Sequence, residues 1–246
     1  ENGVTRVYSV AEAEKFIKAN TESLPIIEKK WDFTENTTAT EGENEPVVSG
    51  SATWNETNQN IKFNANVTAP GILSLKLNPA IGNKANVNFD LYVGALGGQT
   101  FTYTINDSEG TNLVNCSFNV YNGTGSMVIG SEEIAVDSDV ASAVSKVSGD
   151  GMSSSVTQVS NEINFASNTV TVNIGSKSFT GKLTGAETGL ISDISFKSER
   201  SKKADRSIYL DNLVVREYET DSSDTDETAF PKFKSGTYTK DGSALK

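Results

Sequence analysis

The sequence predicts an all-β protein, an antiparallel β-sandwich, on three observations. Apolar and polar residues alternate over short runs through most of the chain, as in Phe89-Asp90-Leu91-Tyr92-Val93 and Leu73-Ser74-Leu75-Lys76-Leu77. Clusters of Asn, Asp, Ser and Gly separate these runs at hairpin spacing, as in Asn106-Asp107-Ser108-Glu109-Gly110. Helical periodicity is confined to one short stretch near the N-terminus. Sheets that each bury one face pair up over a shared core, so the pattern favours two packed antiparallel sheets over a helical or parallel architecture.

The elements follow in order. Ser9-Val10-Ala11-Glu12 is a capping box, in which the Ser9 hydroxyl accepts from the Glu12 amide and the Glu12 carboxylate reaches back. A helix is expected over Ala11 to Ala19, with Val10, Ala13, Phe16 and Ile17 as the stripe that docks on the body and Asn20 and Pro25 as its exit. Residues 1–29 are therefore expected to be an N-terminal helical segment packed on the sandwich.

From Lys30 the period changes to 2, in Trp31-Asp32-Phe33-Thr34, Ile61 to Val67 and Leu73 to Leu77. Phe101 to Ile105 and Leu113 to Tyr121 flank a turn cluster and should form a hairpin. Val170 to Ile174 and Phe179 to Leu183 flank Gly175-Ser176-Lys177-Ser178 in the same way. Ile191 to Lys197 and Ser207 to Tyr218 complete a sandwich spanning 30–218. Ala135 to Asn161, rich in Ser, Val and Gly, fits two further strands or a long irregular loop. Beyond Tyr218 the acidic run Glu219 to Thr228 has no partner pattern, so 219–246 reads as a solvated linker and the start of a following segment.

Composition narrows the function. A net charge of -11 opposes nucleic acid, whose binding needs clustered Lys and Arg to displace counterions. No run approaches the ~20 consecutive apolar residues of a spanning helix, so no membrane insertion is expected. The chain begins at Glu1 rather than Met, which reads as a trimmed chain or a mature protein past its signal peptide. With one Cys, no His and abundant Asn, Thr, Ser and Gly, the expected location is extracellular, secreted or on a bacterial cell surface. Cys116 lies in phase with Phe118 and Val120 and reads as a small buried hydrophobe. The Asn-x-Ser/Thr triplets at Asn36, Asn55, Asn66, Asn106, Asn115 and Asn122 read as chance matches in an Asn-rich chain.

No catalytic residue is assigned. Glycosidases need two carboxylates facing one another across the sugar, and the Glu-x-Asp-x-x-Glu spacing that places them along one strand is missing. Glu132 and Glu133 are adjacent and point to opposite sides of a strand. With no His in the chain, a His-dependent triad and a His-containing zinc site are both excluded.

What remains is binding through flat rings set among polar groups. Tyr92 shares the polar side of its strand with Asp90 and Asn88, and Tyr121 stands beside Asn119 and Ser117. Such surfaces suit sugars, whose faces stack on rings and whose hydroxyls accept from Lys, donate to Asp and do both with Asn. Trp54, in Ser51-Ala52-Thr53-Trp54-Asn55-Glu56, fits a stacking platform and a core position equally. Trp31 shares its side with Phe33 and leans toward the core. The candidate carbohydrate contacts are Trp54, Tyr92, Tyr121, Asn119, Asp90, Asn88, Lys62 and Trp31. No cofactor is required, although sandwich modules often fix their first and last strands with calcium. Asp211, Glu41 and Glu43 are the side chains nominated for that ion, with solvated charge as the rival reading.

Trp31-Asp32-Phe33-Thr34, Val87 to Gly94 and the closing Tyr209-Leu210-Asp211-Asn212-Leu213-Val214-Val215 phrase resemble the non-catalytic jelly-roll modules of bacterial polysaccharide-degrading systems. The closing phrase is similar to those that end concanavalin A-like and galactose-binding-like sandwiches. The resemblance implies an antiparallel jelly-roll β-sandwich whose first and last strands pair. With its capped N-terminal helix and acidic linker, the whole is also similar to the starch-adherence proteins of the gut ruminococcal amylosome. That resemblance implies non-catalytic binding of starch and maltooligosaccharides, beside other secreted or cell-surface glycan-degrading proteins. Similar modules accompany pectate lyases, so pectin binding or a lyase or hydrolase accessory role stays open, as does a purely structural or protein-adhesive sandwich.

Overall fold

The computed structural model describes residues 25–36, 43–64, 69–94, 98–135, 138–147, 156–200 and 207–219. The helix expected over Ala11 to Ala19 and the linker beyond residue 219 lie outside these residues.

The alternating runs form strands β1 (Ile27–Trp31), β2 (Val47–Gly50), β3 (Ala52–Asn55), β4 (Asn60–Phe63), β5 (Gly71–Ile81) and β6 (Lys84–Gly94). They continue as β7 (Gln99–Asp107), β8 (Asn112–Asn119), β9 (Thr124–Ile129) and β10 (Glu132–Ile134), followed by one helical turn, α1 (Asp139–Ala143). Last come β11 (Lys146–Val147), β12 (Thr157–Asn164), β13 (Thr169–Ile174), β14 (Lys177–Lys182), β15 (Ile191–Arg200) and β16 (Ile208–Tyr218).

Among the described residues these strands make two sheets. The nine-stranded sheet runs β14-β13-β12-β6-β16-β4-β3, with β1 on β16 and a short parallel β11 on β6. The seven-stranded sheet runs β10-β9-β8-β7-β15-β5-β2. The first and last described strands, β1 and β16, pair from Ile27↔Glu217 to Trp31↔Leu213. The two hairpins read from turn chemistry are β7–β8 and β13–β14.

The long strands turn their apolar sides inward. Leu73, Leu75, Val87, Phe89, Leu91, Phe101, Ile105, Phe196 and Leu210 are all at most 1% exposed. Phe89 meets Tyr103 and Phe196 edge-on at centroid distances of 5.1 and 4.9 Å, the geometry ring quadrupoles prefer. One polar bridge crosses this core. The Tyr103 hydroxyl, on the seven-stranded sheet, donates to Asn161 Oδ1 at 2.9 Å, and Asn161 Nδ2, on the nine-stranded sheet, donates to the Val87 carbonyl at 3.1 Å. Each buried polar atom in the bridge has a partner, so the sheets are registered to one another without an orphaned group. Cys116 is buried, and desolvation pushes its thiol up to about 12, as expected for a small hydrophobe.

Two expectations change. The first strand spans Ile27–Trp31 rather than starting at Lys30, so the boundary placed between residues 29 and 30 falls inside β1. Phe33, at φ 51°, leaves the strand path and drops its ring into the core at 1% exposure. Of the span Ala135 to Asn161, the described residues hold the two further strands that one alternative expected, β11 and the first part of β12, and add the helical turn α1, which neither alternative included.

Candidate functional site

Because side chains alternate, the strands turn most of their polar residues outward, and each sheet has an outer face. On the nine-stranded sheet β6, β12 and β16 meet at its centre, with Gln158↔Asp90 and Ser160↔Asn88 across one ladder and Asp211↔Asp90 and Tyr209↔Tyr92 across the other. Asn88, Asp90, Gln158, Ser160 and Asn212 line an open hollow of about 370 Å³ on this face. Tyr92, half-buried, continues the same side of β6, with Lys62 opposite Tyr209 in the row it starts. Lys62 Nζ sits 5.8 Å from the centre of the Tyr209 ring. Asn88, Asp90 and Tyr92, read from sequence on one side of a strand, thus share a face with Lys62 and Asp211, which were nominated apart from them.

The electrostatics of this face are set by two carboxylates directly across a ladder. Burial raises the Asp211 carboxyl to about 6 against a hydrogen bond from the Asn212 amide, and the charges of Asp90 and Asp32 add to the rise. The same neighbourhood raises the Tyr92 phenol, through burial first and then Asp90 and Asp211. Relief is local. Asn212 donates its backbone N–H to Asp211 Oδ1 at 2.7 Å and its side-chain Nδ2 to Asp90 Oδ2 at 2.9 Å. Among the described residues the amide oxygens of Asn86 and Asn88 are enclosed here without a hydrogen-bond partner.

Two other nominees come together on the seven-stranded sheet. Tyr121 is 56% exposed in the turn between β8 and β9. Asn119, expected to reach sugar hydroxyls, is instead 2% exposed; its Nδ2 donates to Thr100 Oγ1 at 3.2 Å and its Oδ1 accepts from the Asn122 amide at 3.1 Å. It holds the turn that displays Tyr121 and forms part of a hollow beside it, rather than offering its amide outward.

The tryptophans are corrected toward the core. Trp54 pairs with inward-facing Ile61, and both Trp54 and Trp31 are half-buried and pack on the core cluster. Their indole N–H groups already donate, Trp54 to the Phe33 carbonyl at 2.9 Å and Trp31 to the Asn44 carbonyl at 3.1 Å. Both close the edge of the sandwich, and neither presents a free-standing platform.

The metal nomination falls only in part on the described residues. Glu43 accepts from Asn78 Nδ2, while Asp211 keeps company with Asp90 and Asp32; Glu41 lies outside the described residues. Among the described residues no group of three carboxylate, His or Cys side chains is arranged to hold a metal ion.

Sequence reading missed Gln158, Ser160 and Asn212. Gln158 and Ser160 alternate cleanly in Thr157–Asn164, a signal hidden by the irregular stretch before them. Asn212 had a signal as well, since the adjacent polar pair Asp211-Asn212 interrupts an otherwise apolar run where the β16 register shifts.

No protein-family model matches the sequence, and no curated protein matches it. Solved structures are similar in fold. The carbohydrate recognition domain of Emp47p superposes at a TM-score of 0.53 and 11% identity, over 77% of this chain and 95% of that one. A Bacillus subtilis protein of unknown function with a galectin-like fold superposes at 0.52 and 8% identity, over 81% of this chain and 99% of that one. A sialidase matches at 0.41 and 13% identity over 60% of this chain, which spans 14% of the sialidase's length. With its two antiparallel sheets, the chain has the jelly-roll fold of galectin-like and lectin domains.

Proposed function

We propose that this protein is an extracellular, non-catalytic carbohydrate-binding module for a neutral polysaccharide, starch or a related α-glucan, held on the outer face of the nine-stranded sheet. The observation that carries the reading is the hollow lined by Asn88, Asp90, Gln158, Ser160 and Asn212, with the half-exposed Tyr92 ring on the same side of β6. Sugar hydroxyls both donate and accept, and this lining offers amides, a hydroxyl and a carboxylate to match them. A ring at the end of the row supplies the stacking surface. The shared fold with a carbohydrate recognition domain supports the same reading. A chain at -11 favours neutral glucan over polygalacturonate, which it would repel.

Hydroxyl contacts replace water contacts of similar strength, so single-site affinity should fall in the micromolar to millimolar range, ~4–8 kcal/mol. Native gels cast with amylopectin test the reading. Retardation that weakens on Asn88→Ala and Tyr92→Ala supports it; unchanged mobility in every common polysaccharide, with a known binder retarded alongside, overturns it.

One observation favours a second reading. Residues directly opposite on antiparallel strands have Cβ atoms about 4.5–5.5 Å apart, and Asp90 and Asp211 are such a pair. Retaining glycosidases hold their carboxyls about 5–5.5 Å apart, one of them raised to act as the acid. Release of reducing ends from starch or β-glucan, lost in both Asp90→Asn and Asp211→Asn, would decide for hydrolysis.

A further inference from the structure

We propose that the outer face of the seven-stranded sheet carries a second contact site for the same class of neutral glycan, made by Tyr121 and the hydroxyl-lined hollow beside it. The inference rests on the carbohydrate-binding reading but not on where that reading places the first site.

Tyr121 is the one aromatic ring more than half exposed among the described residues. Its turn is held by Asn119, which ties Asn122 to Thr100 and so couples the displayed ring to the sheet. Next to it Thr100, Ser117, Asn119, Thr124 and Ser126 line an open hollow of about 230 Å³ that contains no charged side chain. The hollow opens onto a polar lane. Ser126, Ser117, Thr102 and Lys197 lie opposite one another on β9, β8, β7 and β15, and the next row places Asn115, Thr104, Ser195 and Ser74 side by side. Three strand spacings of about 4.8 Å make the first row ~14 Å long, enough for an oligosaccharide segment rather than one ring.

The chemistry of the lane selects an uncharged, hydroxyl-bearing ligand. Thr102 Oγ1 donates to Ser117 Oγ at 3.0 Å, and Thr104 and Ser195 share a hydrogen bond at 3.1 Å. Each hydroxyl in these pairs keeps lone-pair capacity for a ligand hydroxyl. The charges at the border, Lys197 and Glu199, neutralise one another at 2.7 Å. An anionic chain would find no net cation here, and an apolar peptide would leave the hydroxyls unmatched.

Two sites on opposite faces cannot easily be filled by one segment of glycan. The module therefore joins separate chains or separate stretches of one branched chain, which raises avidity on a polymer far above either site alone.

The test uses the full chain with maltoheptaose in calorimetry and amylopectin in native gels and light scattering. The wild type should bind two equivalents of maltoheptaose and cross-link amylopectin. Tyr121→Ala should leave one equivalent, weaken gel retardation ~10-fold and abolish cross-linking, while Tyr121→Phe, which keeps the ring, should behave as wild type. The double variant Asn88→Ala, Tyr92→Ala should also leave one equivalent, now lost on adding Tyr121→Ala. Wild-type behaviour of Tyr121→Ala, with binding lost in the sheet-centre double variant, overturns the second site and leaves the proposed function standing. Loss of all binding in Tyr121→Ala alone keeps the Tyr121 site and removes the one on the nine-stranded sheet. A wild type that binds neither probe overturns both.

Discussion

Asp211→Asn should stabilise the protein at neutral pH and leave it unchanged in acid. The side chain keeps its shape, and an amide oxygen still accepts from the Asn212 N–H, which reaches Asp211 Oδ1 at 2.7 Å. What disappears is a charge that burial, Asp90 and Asp32 all oppose. A carboxyl raised from its ordinary 3.8 to about 6 binds its proton more tightly folded than unfolded. Between those values the folded state holds the extra proton, so stability falls as pH rises through the window, and the full penalty is present above about pH 7. At ~1.4 kcal/mol per tenfold in proton affinity the ceiling is ~3 kcal/mol. Asp211 is only half-buried, and solvent screening reduces this to about 1–2 kcal/mol. Urea unfolding followed by tryptophan fluorescence at pH 4 to 8 measures it. With a slope of about 2 kcal/mol/M, the variant's midpoint should exceed the wild type's by ~0.5–1 M at pH 8, and the gap should close near pH 4. A gap that stays constant with pH, or a variant less stable at pH 8, would refute the reasoning.

Two further outcomes follow from the core. Asn161→Ala removes the acceptor of the Tyr103 hydroxyl bond and the side-chain donor to the Val87 carbonyl, and should cost about 2–3 kcal/mol in chemical denaturation, against about 1–2 kcal/mol for Tyr103→Phe. Cys116, buried with its thiol raised to about 12, should resist a thiol reagent in the native protein at pH 8 and react fully in urea.

The fold was legible because a half-buried strand writes its geometry into the sequence. Leu73-Ser74-Leu75-Lys76-Leu77 and Phe101-Thr102-Tyr103-Thr104-Ile105 alternate without a break, and both run as predicted with the same residues inward. The site was legible only where the partner strands were. Alternation on β6 alone put Asn88, Asp90 and Tyr92 on one side; nothing local could show that β12, over sixty residues later in sequence, brings Gln158 and Ser160 beside them. Single-strand alternation also misjudged Asn119. Its side chain does face outward, yet the turn that follows folds back over it and converts a surface amide into an anchor. For Trp54 the run was too short to set the phase, and only pairing with Ile61 turned the ring inward.

The register shift in β16 ties the site to the fold. A regular ladder would leave Asp90 and Asp211 facing one another with no donor between them, a like-charge cross-strand pair that destabilises a sheet. The shift between Asp211 and Val214 inserts one extra residue, so that Asn212 and Leu213 stand opposite Phe89 alone, and Asn212 takes φ 50° within it. That left-handed backbone is tolerated by Asn and Gly and strains most other residues. Glycine would meet the backbone demand and offer nothing to the Asp90 carboxylate; aspartate would add a third charge. Asparagine alone meets both needs, with its main-chain N–H on Asp211 and its side-chain amide on Asp90. The same bulge places the Asn212 side chain at the rim of the hollow. The device that makes two opposed carboxylates tolerable therefore also shapes the surface on which a ligand would rest.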